Sequence, residues 1–395
     1  MTEIYFLIVA FLLLLAVFDL FVGVSNDAVN FLNSAIGAKV AKFRTVLFVA
    51  SVGILIGAVM SAGMMDVARH GIMRPDNYSF EEVMTIFLAV MVTDVIILDT
   101  FNSLGLPTST TVSLVFELLG GTFILAMLKM HADPSLTIYD LLNSDKALSV
   151  IIAIFVSVAI AFFFGVIVQW ISRIIFTFNY KKHLRYTIAI FGGIAFTSLA
   201  YFIFITGIGK SPYISEAARQ WIETNTMMLM AVFFVCSTVL MEILHLLRIN
   251  VFKLIVLAGT FALAMAFAGN DLVNFIGVPL AGLDAMQDFL ANGNGNFDTF
   301  MMTSLMSSAK SPLLYLVLAG IIMIIAMTTS KKAQNVVKTS VDLSRQDEGD
   351  EMFGSSRAAR SIVRATQDMN AAVTKILPPR MRKWIDNRFN KEEAI

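Results

Sequence analysis

The chain has 395 residues, of which 57% are hydrophobic and only 15% charged. A soluble domain carries about 25% charged residues, so bulk composition excludes a water-soluble enzyme or binding module. A formal net charge of zero gives no footing for a nucleic-acid partner.

In chain order, apolar windows near residues 4–24, 45–63, 83–101, 109–129, 147–178, 186–207, 226–247, 251–268 and 312–329 predict nine transmembrane helices. Each is long enough to cross about 30 Å of hydrocarbon. The first has Glu3 where a signal peptide has a basic start, and no small-residue cleavage site follows, so it is read as a retained helix. Gly53 and Gly57 in the second window form a small-xxx-small pair that predicts close helix packing. In the seventh window, Cys236 is read as a packing residue, and Glu242 with His245 as a polar pair on the inner face. Beyond Ser330 the character changes: residues 331–395 read as a charged tail with an acidic-polar run, Gln346–Glu351, and a basic patch at Arg380, Arg382 and Lys383.

Short basic loops stay on the cytoplasmic side of a membrane. Four clusters satisfy that rule through nine crossings: Lys39, Lys42 and Arg44; Lys181, Lys182 and Arg185; Arg248 and Lys253; Lys331 and Lys332. The opposite loops then hold Asp133, Asp140 and Asp145, and Asp284, Asp288 and Asp298, while Arg69, His70 and Arg74 sit outside beside Asp66, Asp76, Glu81 and Glu82. The expectation is an all-α polytopic protein of a cell (inner) membrane, with its N-terminus outside and its tail cytoplasmic.

The most informative feature is internal. Ser25-Asn26-Asp27-Ala28-Val29-Asn30-Phe31 recurs as Gly269-Asn270-Asp271-Leu272-Val273-Asn274-Phe275, with Asn, Asp, Val, Asn and Phe in register. Each copy follows an apolar span and opens a shorter apolar stretch, which reads as a discontinuous or re-entrant helix. The first and eighth spans cross in opposite directions, so the copies are antiparallel, the plan of inverted-repeat transporters. This divides the chain into a first repeat over 1–180, connecting helices over 181–250, the start of an inverted second repeat over 251–330, and the tail.

An interrupted helix offers backbone N–H groups and a dipole to an anion. Acids at this depth mark an ion path. The candidate substrate and ion ligands are therefore Asn26, Asp27 and Asn30 in one copy and Asn270, Asp271 and Asn274 in the other, with Asp27 and Asp271 as Na⁺ ligands. Leu106-Pro107-Thr108-Ser109-Thr110-Thr111 opens the fourth span and adds the hydroxyls of Ser109, Thr110 and Thr111 at a helix N-terminus. Asp94 is a further candidate carboxylate; Asp99 and Glu117 are read as interfacial or helix-pairing groups. A membrane aspartyl protease is disfavoured because no Gly-x-Gly-Asp pattern occurs.

These residues resemble the cation-coupled inorganic phosphate transporters, whose two inverted repeats each carry a Gly-x-Asn-Asp-x-x-Asn motif and a Pro-x-Ser-Thr-Thr motif. The matching positions are Asn26, Asp27 and Asn30; Pro107, Ser109, Thr110 and Thr111; and Gly269, Asn270, Asp271 and Asn274. The resemblance implies phosphate held between the repeats, Na⁺ or H⁺ co-transported beside it, alternating access, and no enzymatic cofactor. Three departures stand out. Val112 occupies a position where many relatives have His, and Ala50-Ser51-Val52-Gly53 lacks the Glu that relatives often place before the Gly. No second Pro-x-Ser-Thr-Thr follows Asp271. The second repeat is thus expected to be truncated, so that either a partner supplies the rest or transport by these 395 residues is impaired; a homo-oligomer is a separate expectation. Transport of another oxyanion such as sulfate, or a non-transporting subunit, are the alternative readings.

Overall fold

The computed structural model describes residues 2–61, 67–182, 184–207, 214–307, 309, 311–344 and 354–390. Asp66, the run Gln346–Glu351, and the side chains of Lys182 and Arg185 lie outside the described residues. What is described is helical: α1 (Thr2–Asp27), α2 (Val29–Gly37), α3 (Phe43–Met60), α4 (Phe80–Leu104), α5 (Thr110–Ala132), the single turn α6 (Ile138–Leu141), α7 (Ser144–Phe176), α8 (Leu184–Ala200), α9 (Glu216–Thr224), α10 (Thr226–Leu246), α11 (Val251–Asn292), α12 (Leu313–Thr329), α13 (Lys331–Leu343), α14 (Arg357–Ile376) and α15 (Pro379–Arg388).

Among the described residues, eight helical stretches are long and apolar enough to cross a membrane, and α12 with α13, bent by 67° at their junction, makes a ninth if counted as one span. All nine predicted windows are accounted for. The chain is an all-α polytopic membrane protein.

Two helix interruptions were expected at the motif copies, and the structure holds one. The first copy breaks at Ala28, between α1 and α2, and the break is tight: Ala28 N–H still donates to Val24 C=O (2.9 Å) and Leu32 N–H to Ala28 C=O (3.0 Å). The second copy lies inside α11, a helix of 42 residues. Its Asn-Asp pair is carried within one unbroken helix, so tertiary packing overrides the interruption expected there.

Close packing comes from glycine. A Cβ on Gly57 would stand 2.1 Å from the Met265 carbonyl oxygen, and one on Gly53 would stand 2.6 Å from that of Phe261, so the small-xxx-small pair lets α3 lie directly on the backbone of α11. The apolar core falls into two main clusters. One joins the N-terminal half of α1 to α4, α5 and the far end of α11. The other joins the C-terminal half of α1 to α2, α3, the middle of α11, α12 and α13.

Contacts also sort the loops into two groups. Met73 bridges to Leu142 and Ser79 to Met301, tying together three loops that the charge pattern places on one side. Arg69, 4% exposed, reaches from that group to Asp284 on α11 at 2.5 Å and donates to the carbonyls of Ser304 and Ser307. On the other side, Lys332 pairs with Asp99 at 2.5 Å, Ser25 Oγ donates to Ser330 Oγ, and Asn33 Nδ2 donates to Ser340 Oγ.

That last set corrects the tail. Residues 331–343 were read as its beginning, yet Ala333, Val336 and Val337 are buried on α13 against the body. Their helical spacing puts them on one apolar face, a signal masked by the lysines beside them. Cys236 is exposed on α10 and not packed. No hydrogen bond or ion pair joins Glu242 to His245 among the described residues, although both lie on α10.

Candidate functional site

The two motif copies meet where α1 crosses α11. A Cβ on Gly23 would stand 2.0 Å from the Phe275 ring, and Phe31 packs against Phe267 with ring centroids 5.4 Å apart. Moving forward from 23 on α1 to 31 on α2 moves backward along α11 from 275 to 267. The copies therefore run antiparallel, and Asp27 and Asp271 stand at matching places in the crossing.

The helix ends around them are set locally. Gly105 closes α4 in the left-handed region (φ +69°), a conformation that favours glycine. Pro107 follows, and Ser109 caps α5 by accepting from Val112 N–H at 3.3 Å. This turn is pinned to α1 by Asn26. Asn26 Nδ2 donates to Asn102 Oδ1 (2.8 Å) and Leu106 C=O (3.0 Å), while its Oδ1 accepts from Thr108 N–H (2.7 Å). Asn102 in turn donates to Val22 C=O at 2.6 Å. Fully buried, Asn26 spends its amide on fixing the start of α5.

That placement brings the hydroxyls onto both copies at once. Thr110 Oγ1 donates to Asp27 Oδ2 at 2.9 Å, both groups being buried. The next residue, Thr111, accepts from Asn274 Nδ2 at 2.9 Å, and Asn274 also reaches its own Asp271 at 3.4 Å. Asn30, Ser109, Thr111 and Asn270 are exposed, and Asp271 and Asn274 half-buried, so one edge of the crossing is open. Of the nine motif residues, Asp27, Thr110, Thr111, Asp271 and Asn274 are joined directly or through one neighbour, and Asn26 supports them. Asn30, Ser109 and Asn270 are exposed and make no side-chain bond to the others among the described residues, and Ser109 faces a cavity between α4 and α5 lined also by Thr93, Val112 and Glu117.

Residues 23–341 match the family model described as the phosphate transporter family. The chain belongs to that family. It is a phosphate transporter, and not an enzyme. Nothing among curated proteins matches it. A solved structure described as "The sodium-dependent phosphate transporter" is similar at 18% sequence identity with a TM-score of 0.60, covering 85% of this chain and 78% of that one. Likeness at that identity speaks to the fold.

The transporter holds a second group of acids that sequence reasoning placed only in part. Asp19 on α1 (0% exposed) faces Asp94 on α4 (1% exposed), and Glu117 on α5 lies beside Asp94 while accepting from Ser113 Oγ at 2.7 Å. Among the described residues, the oxygens of Asp19 and Asp94 accept no hydrogen bond. Asp94 was expected to be a site carboxylate. Asp19 was missed, although a lone acid in the middle of the first apolar window was its signal. Glu117, expected at an interface or pairing helices, stands half-buried beside Asp94 of α4 and accepts from Ser113, one turn before it on α5. Asp99 does pair helices, through Lys332.

Proposed function

We propose that the transporter binds inorganic phosphate at the open edge of the motif crossing and carries it together with a cation, Na⁺ or H⁺, by alternating access. The observation that carries this reading is the pair of consecutive hydroxyls, Thr110 on Asp27 and Thr111 on Asn274, which joins one helix start to both motif copies. The first turn of α5 presents N–H groups beside the exposed Ser109 and Thr111 hydroxyls, a natural seat for an oxyanion. Asn30, Asn270 and Asn274 supply amide donors around it, and Asp27 and Asp271 a place for the cation. Asn26 acts here as a positioning residue.

The need for a cation follows from charge. Asp19, Asp27 and Asp94 are all nearly inaccessible, and their hydrogen-bond partners are neutral or lacking among the described residues. Burying bare carboxylates is costly unless a proton or cation accompanies them. The similar solved structure is described as sodium-dependent, which favours Na⁺. We place the N-terminus outside and the tail in the cytoplasm of a cell (inner) membrane, on the strength of the four basic loop clusters.

Within these residues the second motif copy has no hydroxyl-bearing helix of its own, and Thr111 of α5 serves it. The test is uptake of labelled phosphate by the purified chain in liposomes, driven by a Na⁺ gradient or a pH gradient. Uptake that responds to neither gradient would sink the coupling. Stronger competition by sulfate than by phosphate would change the substrate, and uptake restored only by a second subunit would assign the chain to an assembly.

A further inference from the structure

Helix α14 lies outside the main core clusters, and α15 follows it against α7. Every described side chain of α14 is exposed, including Ile362, Val363, Met369 and Ile376, the last at 84%. At about 100° per residue, Ala358, Ile362, Ala365, Met369, Ala372 and Ile376 share one stripe, while Arg357, Arg360, Arg364 and Lys375 gather on the far side. An amphipathic helix of 20 residues whose apolar stripe is exposed along its described length needs another cover.

Two observations say what covers it. The first is charge: between Arg357 and Arg388 there are eight Lys or Arg and two Asp, a net of +6 (8 − 2), in a chain whose formal net charge is zero. The second is position. Phe389, just past α15, lies in a groove on α7 lined by Phe162, Val166, Trp170 and Arg173. That stretch of α7 belongs to a membrane span, and Phe162 and Val166 are more than half exposed on its outer face. The segment after α14 is therefore held at bilayer level, with Trp384 and Met381 half-exposed beside Arg380, Arg382 and Lys383. Aromatic and apolar groups next to basic ones form the pattern of an interfacial helix on an anionic leaflet.

We propose that α14 and α15 form a membrane-surface clamp that binds anionic phospholipid headgroups, with the Ile362–Met369–Ile376 stripe sunk at the headgroup boundary. The partner is a negatively charged lipid surface. A second copy of the chain, whose own α14 stripe would make a coiled-coil seam, is the competing cover.

The test uses the full chain with Ile362→Cys in a Cys236→Ser background, spin-labelled at 362 and placed in nanodiscs. In discs containing about one third phosphatidylserine, the label is expected to be several-fold less accessible to a water-soluble nickel relaxant than in pure phosphatidylcholine discs. Combining Arg357→Gln, Arg360→Gln, Arg364→Gln and Lys375→Gln is expected to remove that protection. Equal accessibility in both lipids overturns the proposal. So does dipolar broadening between labels at 362, which would put a second copy on the stripe.

Discussion

Gly23 lies so close to Phe275 that a side chain on the glycine would overlap the ring. The matching contact, Phe31 against Phe267, completes the crossing of the two motif helices. The large and small partners are fitted pairwise, so the contact is read best by changing both sides. Gly23→Val is expected to overpack this buried crossing by about 1–3 kcal/mol. Adding Phe275→Leu should recover part of that loss in thermal unfolding of the detergent-solubilised protein. Strict additivity of the two changes would mean that the helices do not meet here.

Asp27→Asn and Asp271→Asn each keep the size of the side chain and remove its charge. Expression and thermal stability should be near wild type, because Thr110 can still donate to the amide oxygen at position 27. Gradient-driven phosphate uptake should fall to background in both. If uptake survives in both variants, the motif acids are not the coupling groups.

Asn26 and Asn30 share a motif but should fail differently. Asn26→Ala strands Thr108 N–H and the Asn102 side chain in a buried place, costing about 1–3 kcal/mol for each group left unsatisfied. Its unfolding temperature should drop together with transport. Asn30→Ala changes an exposed group, so the apparent affinity for phosphate should weaken while the unfolding temperature holds. Equal thermal shifts for the two would undo this division of roles.

Arg69 bonds Asp284, Ser304 and Ser307 from a buried position. Arg69→Gln removes the charge and leaves Asp284 without its partner, at an expected cost of about 3 kcal/mol, the low end for a buried pair because Asp284 is 37% exposed. Arg69→Lys should rescue little, since an ammonium lacks the fork that reaches carboxylate and carbonyls together. Thermal unfolding of the three proteins decides it, and a lysine variant as stable as wild type would refute the claim.

Asp19→Asn and Asp94→Asn test the second acidic group. Each should alter the dependence of uptake on the Na⁺ or pH gradient more than it alters the apparent affinity for phosphate. An unchanged gradient dependence in both would restrict the coupling ion to the motif crossing.

Much of this was legible in the sequence, for reasons of period and polarity. Nine apolar windows mark nine helical stretches because hydropathy alone governs crossing a bilayer. The repeated Asn-Asp-x-x-Asn motif revealed an antiparallel pair, and the Pro-x-Ser-Thr-Thr turn a helix start. Long-range partners were not legible: nothing near Asn26 in sequence points to Asn102 and Thr108, and nothing near Thr111 points to Asn274. The continuity of α11 was hidden because a ladder that persists through Asn-Asp depends on what packs around it. The buried face of α13 was hidden by its flanking lysines.

The start of α5 holds one copy of the motif by Thr110 and the other by Thr111. Within a helix, the spacing of successive residues is fixed, so these two hydroxyls cannot follow α1 and α11 in different directions. Any rocking of one helix past the other by more than the reach of a hydrogen bond must break one of the links. The junction thus ties the two helices together, and a shift of one past the other costs at least one of these hydrogen bonds.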